Sequence, residues 1–457
     1  MSANPATAET FATYPFATDA DTVDLLARSD AGYRHWRNVS ISQRCEVLAR
    51  MAKLLDGETD SLGALITREM GKPIGQARGE VTKTANALRW YVEHGPGFLV
   101  DEQTHVGNRT TVRFDPLGPV LSIQPWNFPV WQPMRAAMAI MLAGNSYILK
   151  PAPNVVGSAL ALERLWDQAG LPDGVFTVLN AEPPQVATSI ADPTVAALTL
   201  TGSVGAGSAV AALAGKHIKK CVLELGGSDA FIVLADADLG AAVQAAVKAR
   251  FQNNGQVCIA AKRFIVEQPV AAEFTQLLSA ATARLRVGDP TEPDTEIGPL
   301  ARADLRDELH AQVMESLSQG AHLICGGEIP DGLGFYYVPT VLSEVRPGMT
   351  AFDDETFGPV AAITHAVDAT DAVQLANASA YGLSASIWTR DVEQAHALAG
   401  DLEVGSVFIN DIPVSDPRIP IGGVKHSGFG RELSHFGVKE FTNAKTVWNR
   451  SLSADLS

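Results

Sequence analysis

Apolar residues in the first hundred positions recur at helical spacing. In residues 42–55, Val47, Leu48, Met51, Leu54 and Leu55 share one face, and residues 61–70 and 80–92 continue the pattern. Residues 21–100 are therefore expected to be mainly helical. Residues 110–114 alternate instead, as a half-buried strand does, and Pro116 and Gly118 signal a turn after them.

From about residue 119 short apolar runs alternate with helical patterns. Strands are expected at 120–124, 146–150, 175–179 and 195–201, and helices at 130–142, 156–169, 184–190 and 208–214. That alternation predicts an α/β fold with a parallel, doubly wound sheet, which takes ligands at the carboxyl ends of its strands. The second half repeats the style, with strands at 230–234 and 263–267 and helices at 239–251, 271–285 and 301–319. The switch between halves is expected at residues 225–228, where Gly226 and Gly227 let the backbone bend.

Composition narrows the class. At 457 residues the chain can hold several domains, and 46% hydrophobic with 19% charged residues is ordinary for a globular protein. A formal net charge of −16 repels phosphate backbones, so nucleic acid is not an expected partner. The most apolar stretch, 136–149, is broken by Gly144, Asn145 and Ser146 and falls short of a membrane span. Four cysteines, Cys45, Cys221, Cys258 and Cys325, lack the spacing of a metal or redox pair, and no disulfide or metal is expected. The first residues lack a basic segment followed by an apolar core, so no signal peptide is read and the expected location is cytoplasmic.

Five segments carry candidate chemistry. Cys258 ends the run FQNNGQVC, a polar turn after a helix, which suits a reachable nucleophilic thiol; taken alone, the same residue reads more readily as a buried structural cysteine. Glu224, after an apolar run in VLELGGSD, can have a raised pKa and serve as a general base, or can simply be salt-bridged. Asn127, between prolines in PWNFP, can donate to an oxyanion or stabilise a turn. Lys150, at a strand's carboxyl end, suits ribose hydroxyls or phosphate, or solvent. The segment TGSVGAG joins strand to helix; its glycines allow close approach of a dinucleotide and Ser203 can cap the helix, although it is not the G-x-G-x-x-G fingerprint.

Together these segments resemble the aldehyde dehydrogenase superfamily over essentially the whole chain. PWNFP at 125–129, LELGG at 223–227, FQNNGQVC at 251–258, ETFGPV at 355–360 and PIGGVKHSGFGRE at 420–432 stand in the family's order, and NPATAET at 4–10 resembles its N-terminal strand. The resemblance implies two Rossmann-type domains and a small β oligomerisation element. Residues 1–97 and 117–226 would bind cofactor, 227–423 would be catalytic, and 98–116 with 438–457 would form the hairpin and strand of a homodimer or homotetramer. Residues 110–114 would then be an edge strand covered by another subunit.

By the same resemblance Cys258 attacks an aldehyde, Asn127 and the Cys258 N–H hold the oxyanion, and Glu224 activates water to release the acid. The cofactor, NADP or NAD, would meet Trp126, Asn127, Lys150, Pro153, Gly202, Ser203, Leu225, Glu355 and Phe357. Pro153 stands where many NAD-preferring members carry a glutamate, which lessens repulsion of a 2′-phosphate. Arg135 matches a carboxylate-binding arginine of the bacterial succinate-semialdehyde dehydrogenases, with Trp131, Gln132 and Ser415 shaping the mouth; glutarate semialdehyde and aromatic aldehydes are the alternatives. Ala260 stands where some members carry a second cysteine, so no disulfide switch is expected. A cofactor-free thiol acyltransferase would need a histidine beside the thiol, and only His426 stands near these motifs. A catalytically silent member would have lost Cys258, Glu224 or Asn127, and a coenzyme A-dependent one would tolerate losing Glu224.

Overall fold

The computed structural model describes residues 2–106 and 110–449. It opens with β1 (Ser2–Ala3) and β2 (Thr10–Ala12), an antiparallel pair. Of the strand expected over 4–10, only Thr10 is strand, and residues 4–9 form the turn between the two. Pro5 has no N–H to give a ladder, the Asn4 side chain accepts from the Ala6 N–H at 3.0 Å, and Ala8 takes a left-handed φ of 61°.

Four helices follow: α1 (Asp19–Trp36), α2 (Ile41–Gly57), α3 (Thr59–Met70) and α4 (Ile74–Phe98). Reciprocal capping boxes, Thr18 with Asp21 and Ser40 with Gln43, start the first two. Next come β3 (Glu102–Gln103) and β4 (Thr110–Pro116).

The first large sheet then alternates strand and helix: β5 (Val120–Gln124), α5 (Trp131–Leu142), β6 (Tyr147–Pro151), α6 (Val156–Gln168), β7 (Phe176–Val178), α7 (Pro183–Ala191), β8 (Ala197–Thr201), α8 (Val204–Lys216) and β9 (Lys220–Glu224). The order β9-β8-β5-β6-β7 is parallel throughout, and the first strand, β5, lies between β6 and β8. The strand order therefore reverses beside β5, the place where a doubly wound sheet opens a crevice. Apolar clusters cover both faces, one built on α5 and α6 with α2 to α4, the other on α1, α7 and α8.

The chain leaves this sheet after Glu224 and enters the second at Asp229. Its elements are β10 (Asp229–Val233), α9 (Leu239–Phe251), β11 (Ala261–Glu267), α10 (Gln268–Thr282), α11 (Ala303–Ser318), β12 (His322–Cys325), β13 (Thr340–Ser343), α12 (Thr350–Asp353), β14 (Val360–Ala366), α13 (Ala369–Asn377), β15 (Tyr381–Gly382), β16 (Ser384–Trp388), α14 (Val392–Asp401) and β17 (Ser406–Ile409). Seven of the strands form the sheet β12-β13-β14-β11-β10-β16-β17, parallel except at the β12 edge. Every residue of β10 and β16 is buried, the mark of a sheet covered on both faces. Finally β18 (Val424–Lys425) pairs with β15, β19 (Gly428–Phe429) returns antiparallel to β9, and α15 (Ser434–Glu440) leads to β20 (Thr442–Trp448).

Three further expectations need correction. Gly226 and Gly227 have no positive φ; they are small because a Cβ would stand 2.2 Å from Glu355 Oε2 at the first and 2.9 Å from the Cys258 carbonyl oxygen at the second. Helix α8 starts at Val204 rather than 208, so Gly207 lies inside it and leaves room for the Leu225 side chain, which a Cβ would approach to 2.5 Å. Residues 110–114 are not an edge, since β4 pairs with β3 on one side and along its whole length with β20 on the other. Of the expected oligomerisation element, 107–109 and 450–457 lie outside the described residues.

Candidate active site

The turn after β5 carries Asn127, and a buried ion pair holds it. Lys72 and Glu80 are bonded to each other and almost wholly buried. The Lys72 ammonium donates to the Asn127 carbonyl at 2.9 Å and sits 3.8 Å over the Phe128 ring. Glu80 accepts from the backbone N–H groups of Val130 at 2.9 Å and Trp131 at 2.8 Å, the first N–H groups of α5. The Asn127 amide donates to the Gln256 carbonyl at 3.0 Å, which leaves its second N–H for a ligand.

Cys258 follows a left-handed turn. Asn253, Asn254 and Gly255 have φ of 53°, 57° and 75°, a run that asparagine and glycine tolerate best. Each is stapled from outside. Asn253 donates to the Asn127 carbonyl at 2.8 Å; Asn254 donates to the carbonyls of Gly71 at 2.9 Å and Pro299 at 2.8 Å; Arg250 grips the Gly255 carbonyl at 2.9 Å. A Cβ on Gly255 would lie 2.4 Å from the Gly358 backbone. Downstream, buried Lys262 donates to the Cys258 carbonyl at 2.7 Å and pairs with Glu355 at 3.0 Å. Among the described residues the Cys258 N–H donates to no protein acceptor.

Burial pushes the Cys258 thiol up to about 11, against the pull of Arg135 and Lys262. The resting thiol is therefore neutral. Glu224 is also pushed well above the usual carboxylate range, first by burial, with Glu432 adding to it and Arg135 opposing. Its Oε1 is buried without a hydrogen-bond partner, free to accept from a water. Arg135 is buried and bonded to Glu432, with a second bond to Thr201 at 3.2 Å, and Thr199 also donates to Glu432 at 2.9 Å.

Two cavities meet at Cys258. One, of about 620 Å³, holds Arg135, Trp131, Gln132 and Ser415, the four residues expected at the substrate mouth. The other, of about 450 Å³, opens at the reversal point of the first sheet and holds Trp126, Asn127, Gly202, Ser203, Leu225, Glu355 and Phe357. Gln132 and Cys258 border both. Trp126 and Phe357 stand edge to face at 5.7 Å between ring centres. Lys150 and Pro153 lie outside the residues lining this second cavity, at the end of neighbouring β6. Glu224 lines neither cavity and stands at the end of β9.

The second cavity fits a dinucleotide. Gly205 stands at the start of α8 with open space where a Cβ would be, and Ser203 caps that helix, accepting from Ala206 at 3.3 Å. Glu355 faces it with one oxygen engaged by Lys262 and the Gly227 N–H at 3.0 Å. Reading the sequence missed Lys72, Glu80, Lys83, Lys262 and Glu432. Only Glu432 left a signal, as the last residue of the motif at 420–432.

A model of the aldehyde dehydrogenase family matches residues 1–447. Over 449 residues the chain is 54% identical to the NAD(P)+ succinate semialdehyde dehydrogenase of Escherichia coli (strain K12), covering 98% of this chain and 97% of that one. It is 45% identical over 449 residues to the NADP+ succinate-semialdehyde dehydrogenase 1 of Mycobacterium tuberculosis (strain ATCC 25618 / H37Rv), covering 97% and 98%. A solved succinic semialdehyde dehydrogenase from Streptococcus pyogenes, in complex with NADP+ as the cofactor, superposes with a TM-score of 0.96 at 35% identity over 98% of this chain and 99% of that one. By sequence, fold and the match of its whole length, this chain belongs to the aldehyde dehydrogenase family.

Proposed function

We propose that the protein oxidises succinic semialdehyde to succinate with NADP or NAD as electron acceptor. The observation that carries this reading is the position of Cys258 on the wall shared by two cavities, one that also holds Arg135 and one at the reversal point of a parallel sheet. The names of the Escherichia coli, Mycobacterium and Streptococcus relatives support the substrate and cofactor.

In this mechanism the Cys258 thiol gives its proton to solvent in the cavity, and its sulfur bonds to the aldehyde carbon. The carbonyl pair moves to oxygen, where the free Asn127 N–H and the Cys258 N–H hold the charge. A bound nicotinamide supplies the hydride acceptor. Once the carbon is oxidised to a thioester, Glu224 takes a proton from water, the water oxygen attacks the acyl carbon, and the carbon–sulfur bond breaks to return the Cys258 thiolate. Trp126, Gly202, Ser203, Leu225, Glu355 and Phe357 would hold the nicotinamide half and its phosphates, with Lys150 at a ribose. Pro153 in place of a carboxylate supports acceptance of a 2′-phosphate.

Residues 1–97 with 117–226 form the cofactor domain in this reading and 227–423 the catalytic one, supported by the passage between sheets after Glu224. Copies assemble through β20, whose Trp448 is 62% exposed; a monomer mass by light scattering would remove that assignment. The free thiols of all four cysteines suit the cytoplasm, and no helix among the described residues is long and apolar enough to cross a membrane. A second reading, a longer semialdehyde or an aromatic aldehyde, is favoured by the size of the 620 Å³ cavity. Initial rates over a panel of aldehydes, each with NAD and with NADP, decide between them. The first reading expects the highest kcat/KM with succinic semialdehyde, and equal values for uncharged aldehydes would overturn it.

A further inference from the structure

We propose that Lys262 is a positioning residue that ties the cofactor cavity to the nucleophile, one ammonium holding both the Cys258 peptide and the carboxylate of Glu355. The inference rests on the reading that Glu355 holds the cofactor and that Cys258 attacks the substrate.

Lys262 lies in β11, and a shift in the pairing of that strand marks its place. In the parallel ladder with β10, Asp229 stands opposite Ala261 and Ala230 opposite Arg263, so Lys262 is left without a partner, as the extra residue of a bulge is. Such a shift re-aims one side chain out of the alternation of its strand. Here the side chain is fully buried, and a cation so placed is costly unless its donors are used. All of them are used at the site. The ammonium donates to the Cys258 carbonyl at 2.7 Å and the Val257 carbonyl at 3.0 Å, and it pairs with Glu355 Oε1 at 3.0 Å. It also stands 5.8 Å from the centre of the Phe357 ring. Cys258, Glu355 and Phe357 all line the cofactor cavity, whereas Lys262 itself does not.

Little else holds either partner. Among the described residues no other donor reaches the Cys258 carbonyl, and the Glu355 side chain has, besides Lys262, only the Gly227 N–H at 3.0 Å on the same oxygen. Lys262 thereby decides which oxygen of Glu355 is left for a ligand. The ammonium also acts on the thiol. Burial raises the Cys258 thiol; Arg135 and Lys262 oppose that rise, and Glu355 and Asp229 add to it. Asp229 is bonded to the Ser384 hydroxyl and accepts from the Ser384 N–H at 3.1 Å, which leaves Glu355 as the carboxylate paired with Lys262.

The test is a double-mutant cycle of Lys262→Met and Glu355→Gln, read by two measurements. One is the Kd for NADPH, from its fluorescence. The other is the rate at which iodoacetamide alkylates Cys258 at pH 9 with no cofactor present. Each single variant is expected to weaken NADPH binding about 10-fold, the range of a charge-assisted contact, and the double variant no more than the worse single one. Alkylation is expected to slow about 10-fold in Lys262→Met and to quicken in Glu355→Gln, because the two charges act on the thiol in opposite senses. Loss of a residue that only packs would loosen the turn and quicken alkylation instead. Lys262→Gln, which keeps a donor for the Cys258 carbonyl without the charge, repeats the cycle should Lys262→Met fail to fold. Losses of NADPH affinity that multiply in the double variant, alkylation that is not slowed in the Lys262 variants, or alkylation that is not quickened in Glu355→Gln, would each overturn the inference. An unchanged Kd in Glu355→Gln would remove the reading that Glu355 holds the cofactor, and the inference with it.

Discussion

Cys258 shows how far a residue's chemistry depends on its enclosure. Its turn makes it reachable, yet burial keeps the thiol up to about 11. Because the pKa is raised, the thiolate is scarce at neutral pH and grows tenfold for each unit of pH below that value. Alkylation of Cys258 in the free protein should therefore climb steadily from neutral to alkaline pH, with no plateau where an ordinary thiol saturates. Mass spectrometry of the Cys258 peptide after timed exposure to iodoacetamide measures this, and a plateau near neutral pH would contradict it. Asn127 and Cys258 were legible because their motifs are contiguous and each backbone prepares its own side chain. Arg135 was legible as a position on the cavity wall, but its bond to Glu432, almost three hundred residues on, was not.

At the scale of elements, the Lys72–Glu80 pair joins α4 to the turn that carries Asn127. Glu80→Gln keeps an oxygen for the Val130 and Trp131 N–H groups but leaves the Lys72 ammonium uncompensated in a buried place. Breaking such a pair costs roughly 3–5 kcal/mol. The variant should show a lowered thermal midpoint, and kcat should fall more than KM rises because the oxyanion donor is loosened. An unchanged midpoint with unchanged kcat would remove the clamp. Most helices and central strands were legible because an apolar period persists across each. The start of α8 was not, since glycines that read as loop are accommodated in a helix packed against Leu225. Nor was the place of β4, because a strand's neighbours are set by β20, far along the chain.

At the scale of the whole molecule, two doubly wound sheets turn their functional ends toward one cysteine. The first offers the crevice beside β5, and the second sends the turn before β11 to its rim. The order of strands that creates the crevice is not written in any local pattern. It was foreseen only as a class, from alternating strand and helix, and the family resemblance supplied the rest. The central claim is that one sulfur serves both cavities. Following reduced cofactor and acid together, in wild type and in Cys258→Ala given succinic semialdehyde and NADP, tests it most directly. The account predicts one acid formed per cofactor reduced in the wild type and neither product above background in Cys258→Ala, whose thermal midpoint stays close to wild type. Turnover in Cys258→Ala near the wild-type rate would contradict it.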